Sequence, residues 1–167
     1  MSRNETNLTT LERMRVQMQE VVPLIRDLEE ILGRDVVHAA LERRNRLREE
    51  RARARPRDAG NPAAVARGIG SFAAGDALTY EVKESTEQRS EIHVTRCGYR
   101  EMMHDLDALD LGPLLICERD YELAEHWGLK LERTQTCMKG ASHCDFVYTP
   151  LHRIEAPDGA GDPHEDR

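Results

Sequence analysis

Four thiols and one carboxylate are the side chains through which this sequence could do chemistry. Cys97, Cys117, Cys137 and Cys144 all fall between Ile92 and Tyr148 of a 167-residue chain. A thiol can be a nucleophile, a metal ligand or merely a small buried residue, and its surroundings decide which. In the stretch LLICERDYELAEHWG, helical spacing puts Leu114, Cys117, Tyr121 and Ala124 on one face, with Asp120 one turn after Cys117. Thiol, carboxylate and phenol therefore converge. A carboxylate on an apolar face is costly to bury alone, so Arg133 or Arg96 is its expected partner. Gly112-Pro113 opens the helix, which places Cys117 where a helix N-terminus favours thiolate, while the charge of Asp120 opposes ionisation.

A second group lies on the strand that follows. Alternation from Leu129 to Thr136 puts Glu132, Thr134 and Thr136 on one face and Arg133 and Gln135 on the other. Threonine hydroxyls and a guanidinium can hold the polar groups of a small substrate. His93, His104 and His143 could carry protons, although each is the kind of residue that usually lies at a surface. A metal is not the favoured expectation, because Cys137 and Cys144 are separated by six residues and make no CxxC knuckle. The alternative is zinc on a composite set, Cys117, Glu132, Cys137 and Cys144, converging across helix and hairpin. Dinucleotide, P-loop, zincin and hydrolase-elbow motifs do not occur.

These residues need elements to position them. Thr9-Thr10-Leu11-Glu12 matches a capping box, and apolar residues from Leu11 to Leu32 recur at helical spacing. Pro23 predicts a kink or break near Val22. Gly33-Arg34 predicts a turn, with Asp35 capping a second helix whose apolar stripe ends at Leu47. Its arginine-rich end, ERRNRLREERARARPR from Glu42 to Arg57, is expected to project into solvent or along another subunit. Pro56 to Gly60 reads as a linker. Asn61-Pro62 starts a third helix running to about Ala74. Alternation in Leu78–Val82 and Ile92–Val94 predicts a hairpin, and a helix follows Cys97-Gly98. The helix carrying Cys117 ends at Gly128, and Leu129–Thr136 with Cys144–Tyr148 closes the chain as a second hairpin turning at Lys139-Gly140-Ala141.

The fold class read from this order is α+β: N-terminal helices packed on a small antiparallel sheet of two hairpins, with a helix pair between them. Residues 1–8 and 153–167 are expected to be disordered, flanking one domain over 9–152 with a helical arm at 9–55 and a motif-bearing core at 61–152. A net charge of −7 argues against a nucleic-acid partner. No apolar run is long enough for a membrane span, and thiols without a signal peptide point to the cytoplasm. The apolar surface of the first helix suggests a homo-oligomer.

Taken in order, R-C-G-Y at Arg96–Tyr99, L-G-P-L-L-I-C-E-R-D at Leu111–Asp120, L-E-R-T-Q-T at Leu131–Thr136 and G-x-x-x-C-D-F at Gly140–Phe146 resemble the L-2-amino-thiazoline-4-carboxylic acid hydrolase family. The closing hairpin is also similar to 4-vinyl-reductase-type ligand-binding domains, some of which hold zinc with cysteines. The first resemblance implies a hydrolase that opens a cyclic amidine at a carbon–nitrogen bond. It carries over Cys97, Cys117, Asp120, Arg133, Thr134, Thr136, Gly140, Cys144 and Asp145. The expected catalytic pair is Cys117 and Asp120, and Tyr121, Arg133, Thr134, Thr136 and Cys97 are expected to bind substrate without a cofactor. The alternative is a small-molecule-binding or sensor module, with or without zinc, or a biosynthetic enzyme acting on another imine.

Overall fold

A computed structural model describes residues 8–55 and 58–151. The expected loose ends, 1–8 and 153–167, lie outside the described residues apart from Leu8. Helix α1 (Thr10–Leu32) begins at the capping box: the Glu12 amide donates to Thr9 Oγ1 at 3.2 Å and the Thr9 amide donates to Glu12 Oε2 at 2.7 Å. Met18, Val22 and Ile25 form its buried stripe. Pro23 does not divide it, so of the expected kink or break near Val22 the break does not occur. The proline lies on the exposed side, where the carbonyl it leaves unbonded can be hydrated.

Gly33, with φ 87°, turns the chain into α2 (Arg34–Arg53). Gly33 itself holds the N-cap position, and Asp35 lies inside the first turn, so the expected cap by Asp35 does not form. The arginine-rich end of α2 also departs from expectation, because it packs against the helix that follows Cys117. Ala52 is fully buried, and Asn45, on the same face, donates to the Leu114 carbonyl at 2.8 Å. Arg48 pairs with Glu122 at 2.7 Å and Arg53 with Glu125 at 3.2 Å. The arginines are partners of a neighbouring acidic helix, which sequence periodicity alone does not reveal.

The third predicted helix is two pieces, α3 (Pro62–Gly68) and α4 (Gly70–Ala73), divided at Ile69 between the two glycines. Asn61 caps α3 through Ala63 as expected, at 2.9 Å. Strands β1 (Leu78–Ser85) and β2 (Ser90–Cys97) form the first hairpin, and β3 (Leu129–Glu132) and β4 (Cys144–Pro150) the second. They join through β2 and β4 into one antiparallel sheet of order β1-β2-β4-β3. Val94 lies opposite Cys144 and Ile92 opposite Phe146, so one sheet face carries these side chains inward.

Between the hairpins come α5 (Gly98–Asp105), a π-helical turn at Pro113–Cys117, and α6 (Arg119–His126). The helix expected from Pro113 to Gly128 is therefore divided at Glu118. The Glu118 amide reaches back five residues to the Pro113 carbonyl at 2.9 Å, and this wider turn changes the direction in which Cys117 points.

The packing of α2 is open to a direct test. Ala52→Arg forces a charge into the buried face and is expected to destabilise by about 3 kcal/mol, whereas Arg51→Ala, at an exposed position, stays within about 0.5 kcal/mol. Urea unfolding followed by circular dichroism compares them. Equal, small effects would mean that the arginine-rich end is free.

Candidate active site

A cavity of about 670 Å³ lies between the sheet and the helices, and its wall brings together much of what the sequence singles out. Cys97, Cys117, Asp120, Arg133, Thr136 and Cys144 all contribute. Two local features aim them. The π-helical turn ends on Cys117, and the early end of β3 releases the chain at Arg133 from strand alternation.

Asp145 enforces that release. Its carboxylate accepts from the amides of Thr134 at 2.9 Å and Gln135 at 2.6 Å, and from the Thr134 hydroxyl at 2.5 Å. Burial works against its ionisation, but these hydrogen bonds hold Asp145 below the usual carboxylate range. The chain is drawn outward at Thr134, so Arg133 and Thr136 both turn toward Cys117. This corrects the expected alternation, in which Thr134 and Thr136 share a face and Arg133 faces away. Thr136 Oγ1 accepts from the Met138 amide at 3.0 Å, starting a short turn at Cys137–Lys139 that closes at Gly140 with φ 91°.

Arg133 sits at the centre. Its side chain is only 4% exposed and donates to Asp120 Oδ2 at 2.6 Å and to the Cys117 carbonyl at 3.2 Å. The guanidinium also lies 5.2 Å from the ring centroids of both Tyr121 and Phe146. Its donors and faces are thus engaged within the protein, and of the two expected partners for Asp120 it is Arg133 that pairs with it. Arg96 instead pairs with Glu101 and Asp76.

Asp120 keeps 32% of its side chain accessible and lines the cavity. Burial of the carboxylate pushes it up to about 6, with Arg133 pulling in the opposite direction. At neutral pH it is ionised and paired, yet within one unit of accepting a proton. Cys117 is driven the same way. Burial pushes its thiol up to about 12, Arg133 pulls it down, Asp120 pushes it further up, and the Thr136 hydroxyl at 3.8 Å favours ionisation weakly. Cys117 is therefore a neutral thiol at rest, and of the two opposed influences read from the sequence the one against ionisation prevails, with burial added to it. Cys117 closes the π-helical turn ahead of α6, and burial outweighs any helix-terminus effect.

The other expected site residues separate. Cys97 lines the cavity and is held in its thiol form mainly by burial. Thr134 is exposed and occupied by Asp145, and Tyr121 stacks on Arg133 without lining the cavity. The composite zinc set does not assemble in this geometry. Glu132 is exposed and pairs with Lys130 at 2.6 Å, and Cys137 Sγ donates to the Val94 carbonyl at 3.4 Å. Among the described residues, the one triad of potential metal donors within 4.8 Å is Glu29, His38 and Asp110, which Arg26 and Arg34 already neutralise.

One residue escaped sequence reasoning. Arg119 lines the cavity and makes no hydrogen bond or ion pair with any described residue. Its signal was the spacing of Arg119, Leu123 and Trp127, a row at four-residue intervals along α6.

The fold and the cavity define a small α+β protein with a cavity walled in part by a thiol and a carboxylate–guanidinium pair. The family model described as L-2-amino-thiazoline-4-carboxylic acid hydrolase matches residues 13–148, and the chain belongs to that family. The family description names a hydrolase. A search of curated proteins found no match.

The Asp120–Arg133 pair makes a stability prediction. Removing the buried cation by Arg133→Met leaves Asp120 uncompensated and is expected to cost roughly 3 kcal/mol in urea unfolding at pH 7. Arg133→Lys should recover only part, since an ammonium cannot bond both Asp120 and the Cys117 carbonyl in the same fork. At pH 4, where Asp120 is protonated, the Arg133→Met penalty should shrink.

Proposed function

We propose that this protein hydrolyses a carbon–nitrogen bond of a cyclic amidine or thiazoline-like small molecule, with Asp120 as general base and Cys117 assisting the addition of water. The observation that carries this reading is a cavity-lining carboxylate raised to about 6, held by Arg133 next to a neutral thiol. The membership of the hydrolase family supports it.

In the proposed reaction Asp120 removes a proton from water as its oxygen adds to the amidine carbon. Asp120 passes that proton to the ring nitrogen as the carbon–nitrogen double bond becomes single. It then takes the remaining hydroxyl proton of the tetrahedral carbon and delivers it to the same nitrogen as the carbonyl forms, the ring carbon–nitrogen bond breaks and the amine leaves. A thiol near 12 is a weak nucleophile at neutral pH, which favours Cys117 and Thr136 as the groups that hold the water over a covalent route through sulfur. Arg133 is a positioning residue for Asp120. Arg119, which lines the wall and has no hydrogen bond or ion pair among the described residues, is the group suited to a substrate carboxylate.

The pH dependence follows from Asp120. Below about 6 the base is protonated and inactive, so kcat/KM should rise through that region to a plateau. Asp120→Asn should lower kcat at least about 100-fold and abolish the acid limb. Cys117→Ser, which retains a hydroxyl to hold water, should lose roughly tenfold, whereas loss as severe as that of Asp120→Asn would indicate attack by sulfur. Undiminished turnover in a folded Asp120→Asn variant ends the assignment.

A further inference from the structure

The cavity is much larger than a bare amidine ring requires. A five-membered ring with an amino and a carboxylate group would occupy roughly a quarter of about 670 Å³, a volume in which proteins enclose far larger ligands. The surplus is apolar. Beyond Arg119 the wall continues with Leu123 of α6 and Trp127 at its C-cap, and Val65 of α3, Phe72 of α4 and Ile69 between these two helices belong to the same wall. Phe72 meets Trp127 edge to face, with centroids 6.3 Å apart. The thiol and the Asp120 carboxylate lie where the π-helical turn, α6 and the loop after β3 meet. The wall supplied by Leu123, Trp127, Val65, Ile69 and Phe72 is mainly apolar, with Asn61 and Ser71 among its polar members.

From this asymmetry we infer that the substrate is an amphiphile: a small reactive head bearing an anionic group, and an apolar tail, alkyl or aryl, seated between α6 and the α3–α4 wall. This rests on the hydrolase reading for the identity of the head, but the tail site stands on the cavity alone. Arg119 is placed for the anion. It begins the row that runs to Leu123 and Trp127, so a ligand laid along α6 would meet a cation first and hydrocarbon afterwards. An apolar wall of this extent stabilises nothing while it faces water. A tail that covers it gains dispersion contacts and release from water.

The test needs no turnover. Trp127 is the single tryptophan of the chain and stands in the apolar wall, so its fluorescence reports occupancy. Titration of the whole protein with butanoate, hexanoate, octanoate and decanoate should show affinity rising by about three- to fourfold per methylene. Ile69→Asp and Leu123→Asp, checked for native circular dichroism, should flatten that slope. Arg119→Gln should weaken every member of the series by a similar factor and leave the slope intact. Equal affinities across the series in the native protein overturn the inference, as does an undiminished slope in both aspartate variants. The outcome separates from that of the hydrolase reading. A steep slope with unaffected turnover in Asp120→Asn removes the proposed chemistry and leaves the tail site. A flat slope with the expected loss of turnover does the reverse.

Discussion

The bond between Arg133 and Asp120 is the constraint around which the site is built. An isolated carboxylate at this depth would simply be protonated, and an isolated guanidinium with 4% exposure would be more costly still. Together they are tolerable, and the additional contacts of Arg133 make the arrangement rigid. The guanidinium ties α6 through Asp120, the π-helical turn through the Cys117 carbonyl, and β4 through the Phe146 ring. The π-helical turn and α6, consecutive in the chain, are thereby held at one point with β4, which comes later in it. The balance is deliberately incomplete in electrostatic terms: burial still exceeds the attraction of Arg133, which leaves Asp120 near 6. A fully compensated carboxylate would be a poorer proton acceptor near neutrality.

The same pair explains why the flanking irregularities are needed. With a regular α-helix from Pro113 to Gly128, Cys117 and Asp120 would follow the α-helical spacing, without the change of direction at Glu118. The bond from the Glu118 amide to Pro113 widens the turn just before the point where Arg133 reaches the Cys117 carbonyl. On the other side, a regular strand through Thr136 would send Arg133 and Thr136 to opposite faces. Asp145, by binding two successive amides and a hydroxyl, stops the strand after Glu132 and allows both residues to face the thiol. Asp145 therefore acts on the site through backbone geometry without lining the cavity.

This also marks what could be read from sequence. Local signals served where local physics decides the outcome: the capping box at Thr9 and Glu12, the Asn61 cap, the two hairpins, and the expectation that Asp120 needs a cation. The ordered motifs from Arg96 to Phe146 were enough for the family. What escaped was decided by contacts between distant segments. The arginines of α2 look solvated until Glu122 and Glu125 of α6 are placed opposite them. Spacing left the state of Cys117 open between a helix terminus and the charge of Asp120, because the governing quantity is burial, which no spacing reports. Arg119 was overlooked because a single cation in a charged segment carries no pattern until its neighbours on α6 are seen to be cavity wall.

These points bear on how a chain this polar holds a cavity this large. Hydrophobic residues make up only 39% of the sequence, and many of them line the void instead of filling the core. The compensation lies in the outer layer. The pairs Arg48–Glu122 and Arg53–Glu125 fasten α6 to α2 from behind, on the side away from the cavity. Ion pairs at a surface contribute little singly, but the half-buried Arg48 and Glu122, the buried carboxylate of Glu125 and a fully buried Ala52 turn the contact into a packed interface. The α6 helix can then present Asp120, Leu123 and Trp127 to an open space without collapsing into it. The arginine-rich segment, which taken alone suggests a solvated arm, is in this way part of what keeps the cavity open.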